Sequence, residues 1–316
     1  MIFIPSLFWT ATYFAAALNI LELTLCAATI GAFCKMNIFN IMHELTHDLV
    51  HPAIKSKLKT SLMLIIQMPM AGSNFPYYKW FHRSHHTMLG TLSLEEARSK
   101  AYDYSHTDGD LLTYTILASR HRHTDLKPRA NIWLTTPLGR LLWFGVYTPI
   151  MRLLAEMLVI IIVSFSRIPK LLRTGLKNDW LSLLDKLLVI SSLSLIFMFW
   201  GWQSLYFIVV SQLFYLGFLF HPCLAFWVSV HKSHNSAADC QPTSSVYGTV
   251  MAVFCGGCNY HTEHHDFVNI PVSRLKRVHA LSSPFYTEIK HFNSFSKVYQ
   301  AILTSKDTEW VYGCQK

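Results

Sequence analysis

Eight of the 17 histidines fall into three short motifs, and their spacing is the feature of this sequence most able to do chemistry. The motifs are His43-Glu44-Leu45-Thr46-His47, His82-Arg83-Ser84-His85-His86 and His261-Thr262-Glu263-His264-His265. On a helix, positions i and i+4 lie about 40° apart, and i, i+3 and i+4 fit within about 100° of arc, so each motif presents its imidazoles on one face. Three such faces can enclose metal. Imidazole suits iron, zinc, copper or nickel, so ligand type alone leaves the metal open. Number says more: eight histidines exceed the four ligands of a tetrahedral zinc and suit two ions of higher coordination number with positions left for dioxygen. The Glu plus Glu-x-x-His sets of soluble di-iron bundles do not occur here.

The elements that must hold these motifs are membrane helices. Of the 316 residues 52% are apolar and 14% charged, against about 25% charged in soluble domains. Met1 to Leu21 contains no Asp, Glu, Lys or Arg, and neither does Leu187 to Val230; a hydrocarbon-crossing helix needs about 20 mostly apolar residues. The sequence therefore predicts four spans, at about 2–20, 23–42, 184–201 and 204–230, the last two turning at Gly201, Trp202 and Gln203. Lys35 interrupts the second span and is expected to snorkel to an interface. Ser61 to Gly72 and Met157 to Ser166 are too short to cross and are expected in the interface or re-entrant. On this topology both termini and every Lys and Arg except Lys35 share one side, which the positive-inside tendency makes cytosolic. The formal charge of +9 reads first as topology and second as a docking surface for anionic lipid or an acidic redox partner. The basic residues form no nucleic-acid motif. Seven scattered cysteines, an odd number, argue against a disulfide framework.

The predicted fold is thus all-α, a single unit over 1–316: four transmembrane helices and a cytosolic helical cap, about 43–183 and 231–316, that carries the histidines. Two other functional classes compete. His43-Glu44-Leu45-Thr46-His47 is also a literal H-E-x-x-H, the zinc-protease signature, but that reading leaves six clustered histidines unexplained. A catalytically silent membrane receptor would be expected to have lost ligands, and all eight are present. Cys255-Gly256-Gly257-Cys258 has C-x-x-C spacing without a second pair or a redox-fold context, and reads as small-residue packing.

The three motifs resemble the histidine boxes of the integral membrane fatty acid desaturase and hydroxylase superfamily. The intervals of 34 residues between the first two and 174 between the last two favour its desaturase branch. The third box, from His261 through Asp266-Phe267-Val268-Asn269-Ile270-Pro271, is similar to that of sphingolipid delta-4 desaturases, with His221-Pro222 and Tyr247-Gly248 in support. The segment before the first span, Asp48 after box one, and Arg83-Ser84 within box two depart from the family pattern. The resemblance implies two iron ions held by His43, His47, His82, His85, His86, His261, His264 and His265, with dioxygen as co-substrate. It also implies a ninth ligand near the end of the fourth span. His231, 30 positions before His261, is taken for it, with His221 and His234 as alternatives. The reaction implied is desaturation of a fatty acyl or sphingoid chain drawn from the bilayer, with hydroxylation by the same kind of site as the alternative. No cytochrome b5, flavin or ferredoxin motif is found, so the resemblance implies a separate electron donor of cytochrome b5 or ferredoxin type. Lys79, Arg274, Lys276 and Arg277 are candidates for its docking surface. Trp200, Trp202, Phe218, Phe220 and Trp227 are candidates for lining a substrate tunnel.

Overall fold

In the computed structural model the described residues are 3–50, 56–72, 75, 78, 82, 86, 136–165, 180–230, 234–235, 240–241 and 243–304. They form helices and one short antiparallel strand pair. Helix α1 (Phe3–Phe14) runs into a 3-10 turn (Ala15–Ala17) and packs back along the long helical run that begins at Ile20. Asn19 restarts the chain: its side chain accepts the Leu21 and Glu22 amides, while Glu22 accepts the Asn19 amide at 3.0 Å, a reciprocal cap. Helix α2 (Ile20–Cys26), a π-helical turn (Ala27–Gly31) and α3 (Ala32–Thr46) form one continuous run. At 1.5 Å per residue its 27 residues reach about 40 Å, longer than the roughly 30 Å hydrocarbon core, so one end projects beyond it. Asp48, at φ 61°, stops the helix one residue past His47.

Next come α4 (Ser56–Ile66), α5 (Pro137–Leu142), a second π turn (Trp143–Tyr147), α6 (Thr148–Phe165) and α7 (Trp180–Tyr215). Residues 20–46 and 183–215 are the two helical runs among the described residues that are long and apolar enough to cross a membrane. At Gly201, one of the three residues where the sequence expects a turn, φ 81° and ψ −177° kink α7, a conformation open to glycine at little cost. The expected span 204–230 is interrupted. Gly217 sits at φ 96°, where a Cβ would lie 2.6 Å from that of Leu224. A 3-10 turn (Phe218–Phe220) follows, with Leu219 and Phe220 both left-handed, before α8 (Pro222–Ser229). Hydropathy is blind to this break because the residues on both sides stay apolar.

The expectation that Lys35 snorkels is overturned. It is fully buried, and its ammonium donates to the Gln212 side-chain oxygen at 2.9 Å and the Pro69 carbonyl at 3.1 Å. Gln212 in turn donates to Glu156 at 3.0 Å, and Glu156 takes Arg152 at 3.1 Å. Of the stretch Met157 to Ser166, expected to stand as a short separate segment, residues 157–165 continue the 18-residue α6 and Ser166 lies outside the described residues; the Arg152–Glu156 pair of this helix meets Gln212. Charge in a span is tolerated when it is paired there.

The remaining elements are β1 (His234–Asn235) paired antiparallel with β2 (Cys240–Gln241), then α9 (Thr249–Phe254), α10 (His261–Asp266), α11 (Val272–Tyr286) and α12 (Phe295–Thr304). Helix α12 clasps the break before α8: the Tyr299 hydroxyl reaches the Phe220 and His221 carbonyls, both at 2.7 Å. Arg140 of α5 donates to the Ile302 and Leu303 carbonyls at its end. Phe197, Met198 and Phe199 on α7 are each more than half exposed, as a lipid-facing surface would be.

Candidate metal centre

The three histidine motifs converge. His43 and His47, one turn apart at the end of α3, meet His82 and His86 and, from α10, His264, and one ring nitrogen of each lies within 4.8 Å of the others. His43, His82 and His264 are buried. His82 Nε2 is 2.9 Å from His47 Nε2 and 3.2 Å from His86 Nε2, which is itself 3.0 Å from His264 Nε2. Each such nitrogen has one proton or one lone pair, so a nitrogen between two others satisfies only one of them as a hydrogen-bond partner. A cation among them would satisfy all the lone pairs at once. The other two histidines of the third motif adjoin this group: His261 and His265 bring their Nε2 atoms within 3.2 Å, and the His265 ring centroid is 4.2 Å from that of His86. Burial, then the neighbouring imidazoles of His43, His86, His261 and His47, pushes His264 well below the usual histidine range. Its ring is therefore neutral, the form that binds metal, and its Nδ1 is buried with no hydrogen-bond partner.

Seven of the nine expected ligands are thus described: five form this group, and His261 and His265 adjoin it. His85 and His231 lie outside the described residues, as does Lys79, and of His234 only the backbone is described. His221 does not belong to the cluster. Its Nε2 donates to the Ala28 carbonyl at 2.7 Å, while its Nδ1 accepts the Cys223 amide at 3.3 Å and caps α8. Ala28 lies in the π turn.

The cluster rests on aromatic rings. Phe39 stacks on His43 at 6.3 Å, Tyr78 lies 5.6 Å from His82, and Phe226 lies 6.0 Å from His261. Trp227 packs 5.0 Å from Phe39 and donates to the Tyr215 carbonyl at 2.6 Å. Of the five proposed tunnel residues Trp227 lies in this floor. Trp200 packs instead on Trp9 and Tyr13, Trp202 is half exposed, Phe218 packs on Phe214, and Phe220 meets Tyr299 edge to face.

Two acidic residues within the motifs, and a third beside one, do not reach toward the histidines' shared nitrogens. Glu44 accepts the Val272 amide at 3.1 Å. Glu263, fully buried, accepts Ser245, Tyr247 and His279, each at 2.6 Å. Asp266 accepts the Tyr286 hydroxyl at 2.7 Å. Burial, then the carboxylate beside each, holds Tyr247 and Tyr286 above the ordinary phenol range, so both remain donors. In a zinc protease the glutamate of H-E-x-x-H acts as base at the metal; Glu44 is committed to α11 instead. The histidine spacing was visible in sequence, whereas these partners were not, because they come from other elements.

Helices that suit a bilayer, holding a buried nest of imidazoles from three chain segments, define a membrane protein with a histidine-lined site able to bind metal. The chain belongs to the fatty acid desaturase family, whose pattern it matches over residues 19–295. It is similar to a sphingolipid delta(4)-desaturase DES1-like protein of Oryza sativa subsp. japonica, 34% identical over 100 residues that cover 32% of this chain and 29% of that one. Sphingolipid delta(4)-desaturase DES1 of Mus musculus is 29% identical over 129 residues, 40% of this chain and 37% of that one. That of Homo sapiens is 33% identical over 108 residues, 33% and 30%. The chain therefore spans about a third of the length of the curated relatives it matches. No solved structure matches it.

Proposed function

We propose that the chain is an oxygen-dependent lipid desaturase, acting on a fatty acyl or sphingoid chain in the manner of the sphingolipid delta-4 enzymes. The observation that carries this is the convergence of imidazoles from three distant segments, those of His43, His82 and His264 buried, over an aromatic floor. The donor set fits two iron ions held by His43, His47, His82, His85, His86, His231, His261, His264 and His265, since seven described imidazoles already exceed what one four-coordinate ion uses. Iron supplies the activation of dioxygen that removal of hydrogen from an unactivated methylene requires, which no side chain can provide. The chain's own residues exclude water and hold the substrate: Phe39, Tyr78, Phe226 and Trp227 form an apolar surface against which an alkyl chain packs close to the histidines.

The reaction balances as two hydrogens from adjacent carbons, plus two electrons delivered singly by a donor and two protons from solvent, reducing dioxygen to two waters. Cytochrome b5 or a ferredoxin-type protein is the donor in this reading, docking on a basic surface that includes the exposed Arg274, Lys276 and Arg277 of α11. The whole of 1–316 forms one domain in a four-span topology, with termini and histidine motifs cytosolic. Under it, α1 and the interrupted 204–230 segment complete the bundle with the spans at about 23–42 and 184–201.

Enzyme given dioxygen, a reduced donor and a saturated N-acyl sphingoid or acyl lipid should release a product two mass units lighter. Metal analysis of detergent-purified protein should find about two irons per chain, the number that suits this many imidazoles. A product sixteen units heavier, carrying label from dioxygen with no alkene formed, would replace desaturation by hydroxylation. An active preparation with one zinc and no iron would overturn the metal assignment.

A further inference from the structure

Helix α11 takes no part in the histidine cluster, yet three acidic residues from the segments that carry it end on this one helix. Glu44 of the first motif meets the Val272 amide, Glu263 of the third meets His279, and Asp266 just beyond it meets Tyr286. The three receiving positions, 272, 279 and 286, are seven residues apart. Two heptads put them on one face, within about 40° of each other and about 10 Å apart along the axis. The other side of α11 is exposed, with Arg274, Arg277, Leu281 and Phe285.

A tie of this kind answers a physical need. Helix α10 has six residues, and helices shorter than about 12–15 residues do not hold their own shape in isolation. Yet α10 must aim three imidazoles at once. On a helical wheel His264 and His265 flank His261 at about 60° and 40°, and Glu263 falls about 160° away, at the back. Fixing the Glu263 carboxylate therefore fixes the roll of α10. Ser245 adds to this by also accepting the Thr262 amide at 3.0 Å.

We propose that α11 is a brace that sets the first and third histidine motifs relative to one another, with His279 and Tyr286 as positioning residues acting through Glu263 and Asp266. The metal-binding part of this rests on the desaturase reading above; the bracing part does not. Among the described residues His279 meets Glu263, Tyr247, Tyr260 and Tyr286, none of them a histidine of the cluster, and its effect passes through the orientation of α10.

The test uses full-length protein in detergent, comparing wild type with His279→Ala, His279→Gln and Tyr286→Phe. Amide hydrogen exchange on metal-free protein reads the brace directly. Peptides covering α10 should exchange about 5- to 150-fold faster in His279→Ala, the range expected when a buried acceptor loses its donor, while peptides of α3 and α7 stay unchanged. His279→Gln retains a donor and should recover most of the protection. Iron retention against a chelator, on protein loaded with iron, should weaken by about 10- to 100-fold in His279→Ala, as when a group behind the ligands is lost. Tyr286→Phe should show the same pattern to a smaller degree, and it decides the matter if His279→Ala does not fold. Unchanged α10 exchange in both variants, or loosening spread evenly over the whole chain, overturns the brace. Wild-type protein that binds no iron would defeat the metal reading, and the exchange experiment would still decide the brace.

Discussion

Two of the concentrations of polar side chains buried among the described residues solve the problem of burial in opposite ways. In the membrane bundle, Lys35, Gln212, Glu156 and Arg152 form a line in which each donor meets an acceptor, at 2.9 to 3.1 Å. In the histidine cluster like meets like, Nε2 against Nε2 at 2.9 to 3.2 Å from His47 through His82 and His86 to His264. The first set is complete in itself and joins α3, α6 and α7. The second is one that a bound cation could complete. Burial of polar groups alone does not mark a site; the mismatch of donors and acceptors does.

That contrast is open to direct tests. Replacing His86 or His264 by Ala should lower desaturation by more than about 100-fold, since even groups behind metal ligands are worth about 10- to 100-fold. Iron content should fall in step, with membrane insertion intact; full activity in both variants would place the chemistry elsewhere. Glu156→Ala should act the other way, costing about 3–5 kcal/mol of stability in thermal unfolding because buried charges lose their partner. Iron per folded chain should hold, and loss of iron without loss of stability would collapse the distinction. His221→Ala removes the hydrogen bond to the Ala28 carbonyl and should cost about 1–3 kcal/mol while iron is retained. Loss of iron in that variant would return His221 to the ligand set. The smallest effect is expected for Lys59→Ala, whose 2.6 Å pair with Asp48 is partly exposed; such pairs contribute at most about 1 kcal/mol, and unfolding should barely register it.

How much of this could be read from the chain alone depended on the distance over which each feature is encoded. The histidine motifs are local, written at i, i+3 and i+4, and the described members of all three meet as the spacing implied. The kink at Gly201 was legible for the same reason. Lys35 was misread because its partners stand 34 and 177 positions away, and one unpaired-looking lysine in an apolar run resembles an interface residue. The break at Gly217 was missed because a left-handed glycine leaves hydropathy untouched. The roles of Glu44, Glu263 and Asp266 were hidden by their neighbours: beside so many histidines a carboxylate suggests a base or a ligand, and only tertiary contact reveals that it faces away. One signal was available in principle, since Val272, His279 and Tyr286 recur every seven residues.

The π turn at Ala27–Gly31 has a bearing on how this chain tolerates changes of length. In a regular helix, deleting one residue rolls everything beyond it by about 100°, which in the run from Ile20 would swing His43 and His47 off their partners. A π turn already holds one residue more than the α-helical path requires. A single deletion inside it would restore regular geometry and leave the downstream face where it is, and the Ala28 carbonyl, now taken into the helix, would be withdrawn from His221. The segment is thus a length buffer in an otherwise phase-locked span, and its removal would be felt first at the start of α8 and only afterwards at the histidine cluster.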